Sequence, residues 1–380
     1  MRVLINAIGI SDSGGVVVLE KLIKELIVKE KDNKFTFLVT TNPQINTLTE
    51  KYKQHRFFEF RSVSFKNYLS RLLYENISCR EIIIEKNINL VYNFSGSRQF
   101  FVKTPQLIKV HNLLFYSKKL DRFYRKNFHI ILWFKHVFFK GLVFRFMLDR
   151  SNFLEIQSKH VSSHLSDFVD IRKKQFYIKS DVDVRDQSFE APRKYDFSKK
   201  IKILYIVGPH FEYPHKNILD FTRAMLELKK VDIDFEINIT LTSDQLNRSE
   251  VWDESLNSLT NFRGYIPDSK DMEELFCDNT ILISTSIIET LGLHVIEAIK
   301  NGVVAITPSE DYAIEVYGGR GFGYDLFDPD SLCRTVVNII SDNKPLTNLI
   351  LNQQQYLRQN EMVKLNNIVD VFDDVLSRQS

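Results

Sequence analysis

Residues 201–208 have the sequence IKILYIVG, a short apolar run typical of a buried β-strand. The helical pattern NILDFTRAMLELKK follows at residues 217–230. The chain opens in the same way, because the strand-like MRVLINAIG at residues 1–9 precedes a glycine-containing turn and the helical VVVLEKLIKELIVKE at residues 16–30. A strand, a turn and a helix at the start of each half predict an α/β protein of two doubly wound, Rossmann-like domains.

Further short apolar runs alternate with helical or charged stretches, as expected for parallel sheets covered by helices. In the first half they are FTFLVT (35–40), NLVYNF (89–94), QLIKV (106–110) and FLEIQ (153–157). In the second half they are FEINITLT (235–242), NFRGY (261–265), TILIST (280–285) and VVAIT (303–307), with helices expected around 251–259, 272–277 and 292–300.

The chain is 380 residues long, which favours two domains over a single core. Residues 186–200 are polar, contain one proline and have no periodicity, as an interdomain linker should. We therefore predict an N-terminal domain over residues 1–185, a second domain over 201–351 and a C-terminal helical segment over 352–380. Such domains bind ligands at the carboxyl ends of their strands, so we expect them to face a central cleft.

The composition is that of a folded globular protein, with 44% apolar and 26% charged residues. A formal net charge of +3 is uninformative by itself. The sequence shows neither a concentrated basic face nor a recognisable nucleic-acid-binding module, which argues against a nucleic-acid partner. The three cysteines are far apart and form no zinc or redox motif. Because Met1 leads directly into a strand-like run, we expect no signal peptide and a cytoplasmic location.

Residues 129–148 are apolar enough to raise the question of a membrane span. Lys135, His136, Lys140 and Arg145 interrupt this stretch, so it should not cross a bilayer. Two interpretations remain open. One is a buried helix with basic ends, and the other is a surface that touches anionic lipid at the inner face of the membrane.

The most informative passage for chemistry is STSIIETLGLHVIEAIKNG, residues 284–302, directly after a predicted strand. Gly292 stands where a loop becomes a helix, so the backbone amides of Leu293 and His294 are available to an anion such as phosphate. The Glu297 carboxylate, about a turn further on, suits two vicinal hydroxyls, and Glu289 lies in the loop. By themselves, two glutamates near a helix start favour a purely structural role, namely a favourable charge at the helix N-terminus and an exposed helical residue.

The segment ETLGLHVIEAIKNG resembles the donor-site signature of the retaining glycosyltransferase family four, commonly Glu-Gly-Phe-Gly-Leu-Pro followed by a hydrophobic residue and Glu-Ala. The resemblance extends over most of the chain. It includes the Gly14-Gly15 turn, TPQLIKVHNL with His111, VGPHFEYPHKN with Lys216, FRGYIPD, and VVAITPSEDYAIEV with Glu315. It implies the GT-B fold and polysaccharide or O-antigen biosynthesis.

The resemblance also implies roles for individual residues. Glu297 would bind the nucleotide ribose, Glu289 would lie by the transferred sugar and diphosphate, and Lys216 would neutralise the diphosphate. The remaining implied site residues are Gly292, Leu293 and His294 (backbone contacts to the donor), Gly15 (close backbone approach), His111 (near the sugar or acceptor hydroxyl), and Gly264 and Tyr265 (beside the base).

The sequence departs from the family pattern at several positions. Pro209 and His210 stand where members often carry an arginine for the diphosphate. The other departures are Asn112 in place of Asp, Thr290 and Leu291 in place of Gly and Phe, and His294 in place of Pro. These changes bear on donor identity more than on the fold.

The implied activity is metal-independent transfer, without a cofactor, from a nucleotide-diphosphate sugar to a glycan or lipid-linked oligosaccharide. A UDP-sugar is favoured and a GDP-sugar comes next. The setting would be surface polysaccharide assembly such as lipopolysaccharide. Two alternatives remain: a sugar-nucleotide epimerase of the same fold, and a catalytically inactive glycan-binding partner subunit.

Overall fold

The computed structural model describes residues 1–10, 13–29, 33–127, 129–181, 188–208, 214–249, 251–266, 269–318, 322–341, 346–360 and 367–379. The chain forms two compact units. The first consists of Met1–Tyr116, Ile131–Asp181 and Leu365–Ser380, and the second of Ser117–Ile130 and Val182–Lys364.

Within the described residues, seven strands form the sheet of the first unit in the order β3-β2-β1-β4-β5-β6-β7, and all neighbouring strands are parallel. They are β1 (Arg2–Ala7), β2 (Lys34–Thr40), β3 (Phe58–Val63), β4 (Leu90–Asn93), β5 (Gln106–Val110), β6 (Phe153–Ile156) and β7 (Gln175–Ile178). Strand order runs outward in both directions from β1 and β4.

The second unit repeats this arrangement. Its described strands, six in number, are parallel in the order β10-β9-β8-β11-β12-β13. They are β8 (Ile201–Tyr205), β9 (Phe235–Ile239), β10 (Thr260–Phe262), β11 (Thr280–Ile283), β12 (Val304–Pro308) and β13 (Gly323–Tyr324). In this sheet the strand order reverses between β8 and β11, as it does between β1 and β4 in the first unit. At such a reversal the connections that follow the two neighbouring strands cross to opposite faces of the sheet and leave a crevice between them.

Helices cover the sheets. In chain order the α-helices are α1 (Ser13–Val28), α2 (Pro43–Tyr52), α3 (Tyr68–Asn76), α4 (Ser78–Glu85), α5 (Lys118–Lys126), α6 (Ile130–Leu132), α7 (Lys140–Asp149), α8 (Lys159–Ser166), α9 (Ile218–Leu228), α10 (Ser243–Asn247), α11 (Ser269–Glu273), α12 (Leu293–Lys300), α13 (Asp311–Tyr317), α14 (Pro329–Ser341), α15 (Leu346–Gln359) and α16 (Ile368–Ser377). Shorter 3₁₀ turns occupy Leu114–Tyr116, Pro214–Lys216 and Glu254–Leu259, and a π-helix occupies Trp133–Phe139.

The central strands are buried because helices cover both faces of each parallel sheet. Residues 3–7 of β1 are all buried, as are all residues of β4, β5, β6, β11 and β12. The two Rossmann-like domains predicted from the apolar runs are confirmed.

The division of the chain differs from the predicted boundaries at its C-terminal end. Residues 352–380 were expected to form one helical segment, but α15 belongs to the second unit and α16 packs into the core of the first. Phe372 is fully buried there, with its ring 5.2 Å from that of Tyr92, and the Tyr177 hydroxyl donates to Asp374 at 2.7 Å. Helix α5, which was expected within the N-terminal domain, groups with the second unit.

Three local predictions need correction. Gly14 and Gly15 lie in the first turn of α1 and not in a turn before it. The helix expected around 251–259 is the 3₁₀ turn Glu254–Leu259, and the helix expected around 272–277 is α11, which ends at Glu273. Both helical elements are shorter than the spacing of apolar residues in the sequence predicted.

The apolar stretch at 129–148 forms α6, the π-helix and α7 in succession. The interpretation as a buried helix is wrong, because Ile131 is 83% exposed and Phe139 is 61% exposed. In the described part of the chain, no helix has both the length and the apolar character needed to span a bilayer.

The packing of α16 predicts that Phe372→Ala destabilises the first unit by about 3–5 kcal/mol, because it leaves a cavity in a closed core. Differential scanning calorimetry should show a lower Tm for this unit. Asp373→Ala, an exposed change on the same helix, is the control and should leave the Tm unchanged. Equal effects of the two substitutions would contradict the placement of α16.

Candidate active site

The second unit brings Lys216 and Glu289 together at its crevice between β8 and β11. Lys216 ends the 3₁₀ turn that follows β8, and Glu289 lies in the loop after β11. The Lys216 Nζ lies 2.6 Å from Glu289 Oε1, and both side chains are mostly buried. Because adjacent parallel strands end at the same edge, residues far apart in sequence meet at this point.

Glu289 is held as an ionised carboxylate. Its Oε1 also accepts a hydrogen bond from Ser286 Oγ at 2.7 Å. Burial alone would raise the pKa of Glu289, but the positive charge of Lys216 and the neighbouring His294 and His215 outweigh it and lower the pKa to about 2. The site therefore presents an ammonium group and a carboxylate side by side at neutral pH.

The backbone beneath Lys216 is fixed by hydroxyl groups. Tyr205 Oη and Thr285 Oγ1 donate to the Lys216 carbonyl at 2.9 and 2.8 Å. The Ile287 amide donates to the His215 carbonyl at 2.7 Å, which ties the two loops together. These contacts orient the Lys216 side chain without using its ammonium group.

Gly292 lies at the start of α12 in the left-handed backbone region, with φ of 61°. A side chain there would also collide with the Tyr317 hydroxyl, which donates to the carbonyl of Leu291 at 2.5 Å. Glycine is therefore required at this turn. The first amides of α12, at Leu293 and His294, lack carbonyl partners within the helix and suit an anion.

His294 is neutral at physiological pH. Its Nε2 is 2.9 Å from Ser284 Oγ. Burial and the positive charge of Lys216 lower its pKa to about 4, although Glu289 acts in the opposite direction. The imidazole thus adds a polar group beside the carboxylate and no charge.

Three other residues with predicted donor roles lie at carboxyl ends of the same sheet or on α12. Glu297 is exposed on α12, one turn beyond Leu293. Gly264 follows β10 with φ of 69°, and Tyr265 next to it is 49% exposed. Pro209 and His210, where an arginine is common in the family, lie outside the described residues.

The remaining predicted site residues, His111 and Gly15, belong to the first unit. His111 follows β5 and lines a cavity of about 270 Å³. The residue as a whole is exposed, but the protein atoms around the imidazole remove water from it, and this effect and the Lys109 charge lower the pKa of His111 to about 4. At Gly15, a side chain would press on Ile10, whose Cγ2 would lie 3.1 Å from the added carbon.

Sequence reasoning missed Ser286, Tyr205 and Tyr317. Their hydroxyl groups donate hydrogen bonds to Glu289 and to the backbone of the site. Ser286 stands in the quoted motif, and its position after a strand was a usable signal. Tyr317 lies at the end of α13 and reaches Gly292 only through the fold. Among the described residues, no group of three or more His, Cys, Asp or Glu side chains is placed to hold a metal ion.

Residues 201–342 match the family model described as glycosyl transferases group 1. This segment is similar to that family. It contains Lys216, Glu289 and Glu297, and the resemblance predicted from the sequence is confirmed at this level.

Solved structures resemble the chain over its whole length. The Anabaena protein HepE, solved in complex with UDP and glucose, has 14% identity and a TM-score of 0.64, with 100% of both chains covered. The lipopolysaccharide outer core galactosyltransferase WaaB has 12% identity and a TM-score of 0.64, also with 100% of both chains covered. A putative UDP-N-acetylglucosamine 2-epimerase from Listeria monocytogenes has 10% identity and a TM-score of 0.57, with 100% of this chain and 97% of that chain covered. These similarities establish the GT-B type of fold.

The histidine environments predict a pH dependence. His294 and His111 have pKa values of about 4 when folded, against about 6.5 in an unfolded chain. The unfolded state therefore binds protons first, so the free energy of unfolding should fall as the pH drops from about 6.5 to about 4.

The measurement is a proton NMR titration of the imidazole signals, assigned with His111→Gln and His294→Gln. Both midpoints should lie well below the ordinary value for histidine. A midpoint near 6.5 for either residue would contradict the environment described for it.

Proposed function

We propose that the protein is a retaining glycosyltransferase that moves a sugar from a nucleotide-diphosphate donor to a glycan or lipid-linked oligosaccharide. The donor is a UDP-sugar by preference and a GDP-sugar as the next choice, and no metal or cofactor is needed. The observation that carries this proposal is the Lys216–Glu289 pair at the crevice of the second unit, beside the start of α12.

The pair suits the two parts of such a donor. An ammonium group has three N–H donors, so Lys216 can contact Glu289 and still neutralise a diphosphate. Glu289 remains ionised and accepts hydrogen bonds from sugar hydroxyls. In this proposal the amides of Leu293 and His294 contact the same anion, and the exposed Glu297 carboxylate binds the two ribose hydroxyls.

In the proposed reaction, the acceptor hydroxyl oxygen forms a bond to the anomeric carbon while the bond from that carbon to the phosphate oxygen breaks. Both events occur on the same face of the sugar, so the anomeric configuration is retained. The hydroxyl proton passes to the departing phosphate oxygen, and no side chain acts as nucleophile. Lys216 and the helix amides stabilise the charge that develops on the leaving diphosphate.

The first test is calorimetric titration of UDP and GDP with chelator present. One nucleotide should bind in the micromolar range to the wild type, and Glu297→Ala should weaken binding at least about tenfold, since hydrogen bonds to a charged group are lost. Glu273→Ala removes an exposed glutamate of α11 and should bind normally. If neither nucleotide binds to the wild type, the inactive partner subunit becomes the better interpretation.

Turnover with the nucleotide-sugar so selected provides the second part of the test. Lys216→Ala should lower it by about two to three orders of magnitude, because charge on the leaving group is no longer stabilised. Lys230→Ala, which breaks an exposed pair of the same 2.6 Å length with Glu227, is the matched control. Sugar rearrangement without any acceptor would instead indicate an epimerase.

We also propose that the first unit rests on the inner face of a membrane. Large apolar side chains of the π-helix and α7 are exposed: Phe134, Phe138, Phe139, Leu142 and Phe146, with Ile131 just before them. The Arg150 guanidinium lies 3.4 Å from the centre of the Phe146 ring, so a basic group stands at the edge of this apolar surface. Apolar and basic groups together suit the interface of an anionic bilayer.

Co-sedimentation with phosphatidylcholine vesicles, with and without phosphatidylglycerol, tests this contact. Binding should require the anionic lipid and fall several-fold in the double variant Ile131→Glu, Phe139→Glu, because charged groups resist burial in the interface. Val28→Glu, at a residue 82% exposed on α1, is the control. Vesicle binding that is unchanged in the double variant would place the contact elsewhere.

A further inference from the structure

The cavity that contains His111 lies at the crevice of the first unit. Gly9 follows β1, while Ser95 and Gly96 follow β4, and strand order reverses between these two strands. Helix α7 contributes Lys140, Phe144 and Leu148 to the lining of the cavity. This is the position at which an open α/β sheet binds a ligand.

Two cations give the cavity its chemical character. The Arg71 guanidinium lies against Gly9, where an added Cβ would stand 2.9 Å from Nη1 and Nη2. Its Nε and Nη2 donate to Glu75, and Nη2 also donates to Ser95 Oγ at 3.3 Å. Among the described residues, the hydrogen bonds of Arg71 use Nε and Nη2 and leave Nη1 for a ligand. Lys140 brings a second positive charge from α7.

The negative charges of this region lie behind the cavity wall. Glu75 is fully buried and its Oε1 accepts from Asn6 and Ser97 as well as from Arg71. Lys109 is buried against Glu155 and Asp181 at 2.7 and 2.6 Å. Among the described residues that line the cavity, none is an aspartate or glutamate.

Lys109 is therefore unsuited to bind a ligand, because two carboxylates already share its ammonium group. Their other oxygens accept from Tyr92 and Gln157. Burial lowers the pKa of Lys109, but the charges of Asp181 and Glu155 overcome this effect and raise it above its ordinary value. Lys109 and the two carboxylates form a buried network in the cavity wall, and Arg71 and Lys140 supply the positive charge that a ligand can use.

An aromatic wall completes the cavity. The rings of Phe115 and Phe144 are stacked, with centroids 4.8 Å apart and planes 7° apart. Arg145 fixes Phe115 by donating twice to its carbonyl, at 3.0 and 2.7 Å. Neutral sugars need acceptors for their hydroxyl protons as well as donors. This cavity has such acceptors in Ser95 and Asn112, but its charged groups are cationic donors, beside an apolar wall suited to a sugar ring.

We propose that this cavity binds an acceptor sugar through an anionic substituent, a phosphate or a carboxylate, held by Arg71 and Lys140. The proposal rests on the proposed function, because it takes the ligand to be the acceptor of the transfer. The sugar ring packs on Phe115 and Phe144. The anionic group takes the Nη1 hydrogens of Arg71 and the ammonium group of Lys140.

The test compares binding of glucose 6-phosphate, glucuronate and glucose by ligand-observed NMR titration. We expect at least one anionic sugar to bind about tenfold or more tightly than glucose, and Arg71→Gln and Lys140→Gln each to remove about tenfold of that preference. Lys103→Gln, an exposed lysine of the same unit, should have no effect. A preference for the phosphate or for the carboxylate identifies the source of the charge.

Two further arms keep the result unambiguous. The titrations are repeated in Lys216→Ala, which should retain the preference, because the second unit is not involved. Arg71→Gln removes the hydrogen-bond donors of the buried Glu75 and can therefore prevent folding. In that case Lys140→Gln alone tests the proposal. Equal binding of all three sugars, or a preference that survives Lys140→Gln, overturns the proposal.

UDP and GDP binding is measured on the same samples. Anion preference without nucleotide binding would contradict the donor site and leave this cavity as a binding site for an anionic sugar. Nucleotide binding without anion preference would contradict only the charge assigned to the acceptor.

Discussion

The reversal of strand order in each parallel sheet is the constraint on which the rest of the structure depends. Parallel strands end at one edge, and at the reversal the chain leaves neighbouring strands in opposite directions, so a crevice remains between them. In the second unit this crevice holds Lys216 and Glu289, and in the first it holds the cavity with Arg71 and His111. Both sites follow from the same geometry.

The Lys216–Glu289 pair is better understood as preparation for a ligand than as a source of stability. Two charges removed from water lose hydration that their attraction does not always recover. Here Ser286, Tyr205 and Thr285 hold the groups in place. A site that keeps opposite charges ordered before the substrate arrives needs little rearrangement when the diphosphate binds.

The sequence predicted the central strands well and the sheet edges poorly. Strands such as QLIKV and TILI are buried on both faces and appear as continuous apolar runs. The edge strands β3 and β7 are largely half-buried, and β13 has only two residues, so none has that pattern. The donor-site motif could be identified because its residues are close in sequence. Tyr317 and Arg71 could not be identified from the sequence. Only the fold brings Tyr317 to Gly292 and Arg71 to Gly9.

Helix α16 lies beyond the whole second unit in sequence, yet it closes the core of the first. During synthesis on the ribosome, the first unit must therefore wait with an open apolar groove beside Tyr92 until residues 368–377 emerge. The second unit has no such delay, because its strands and helices are complete before α16 is made. The second unit can therefore finish folding before the first, although it begins later along the chain. Until then the open groove exposes apolar surface of the kind that makes folding intermediates prone to aggregate.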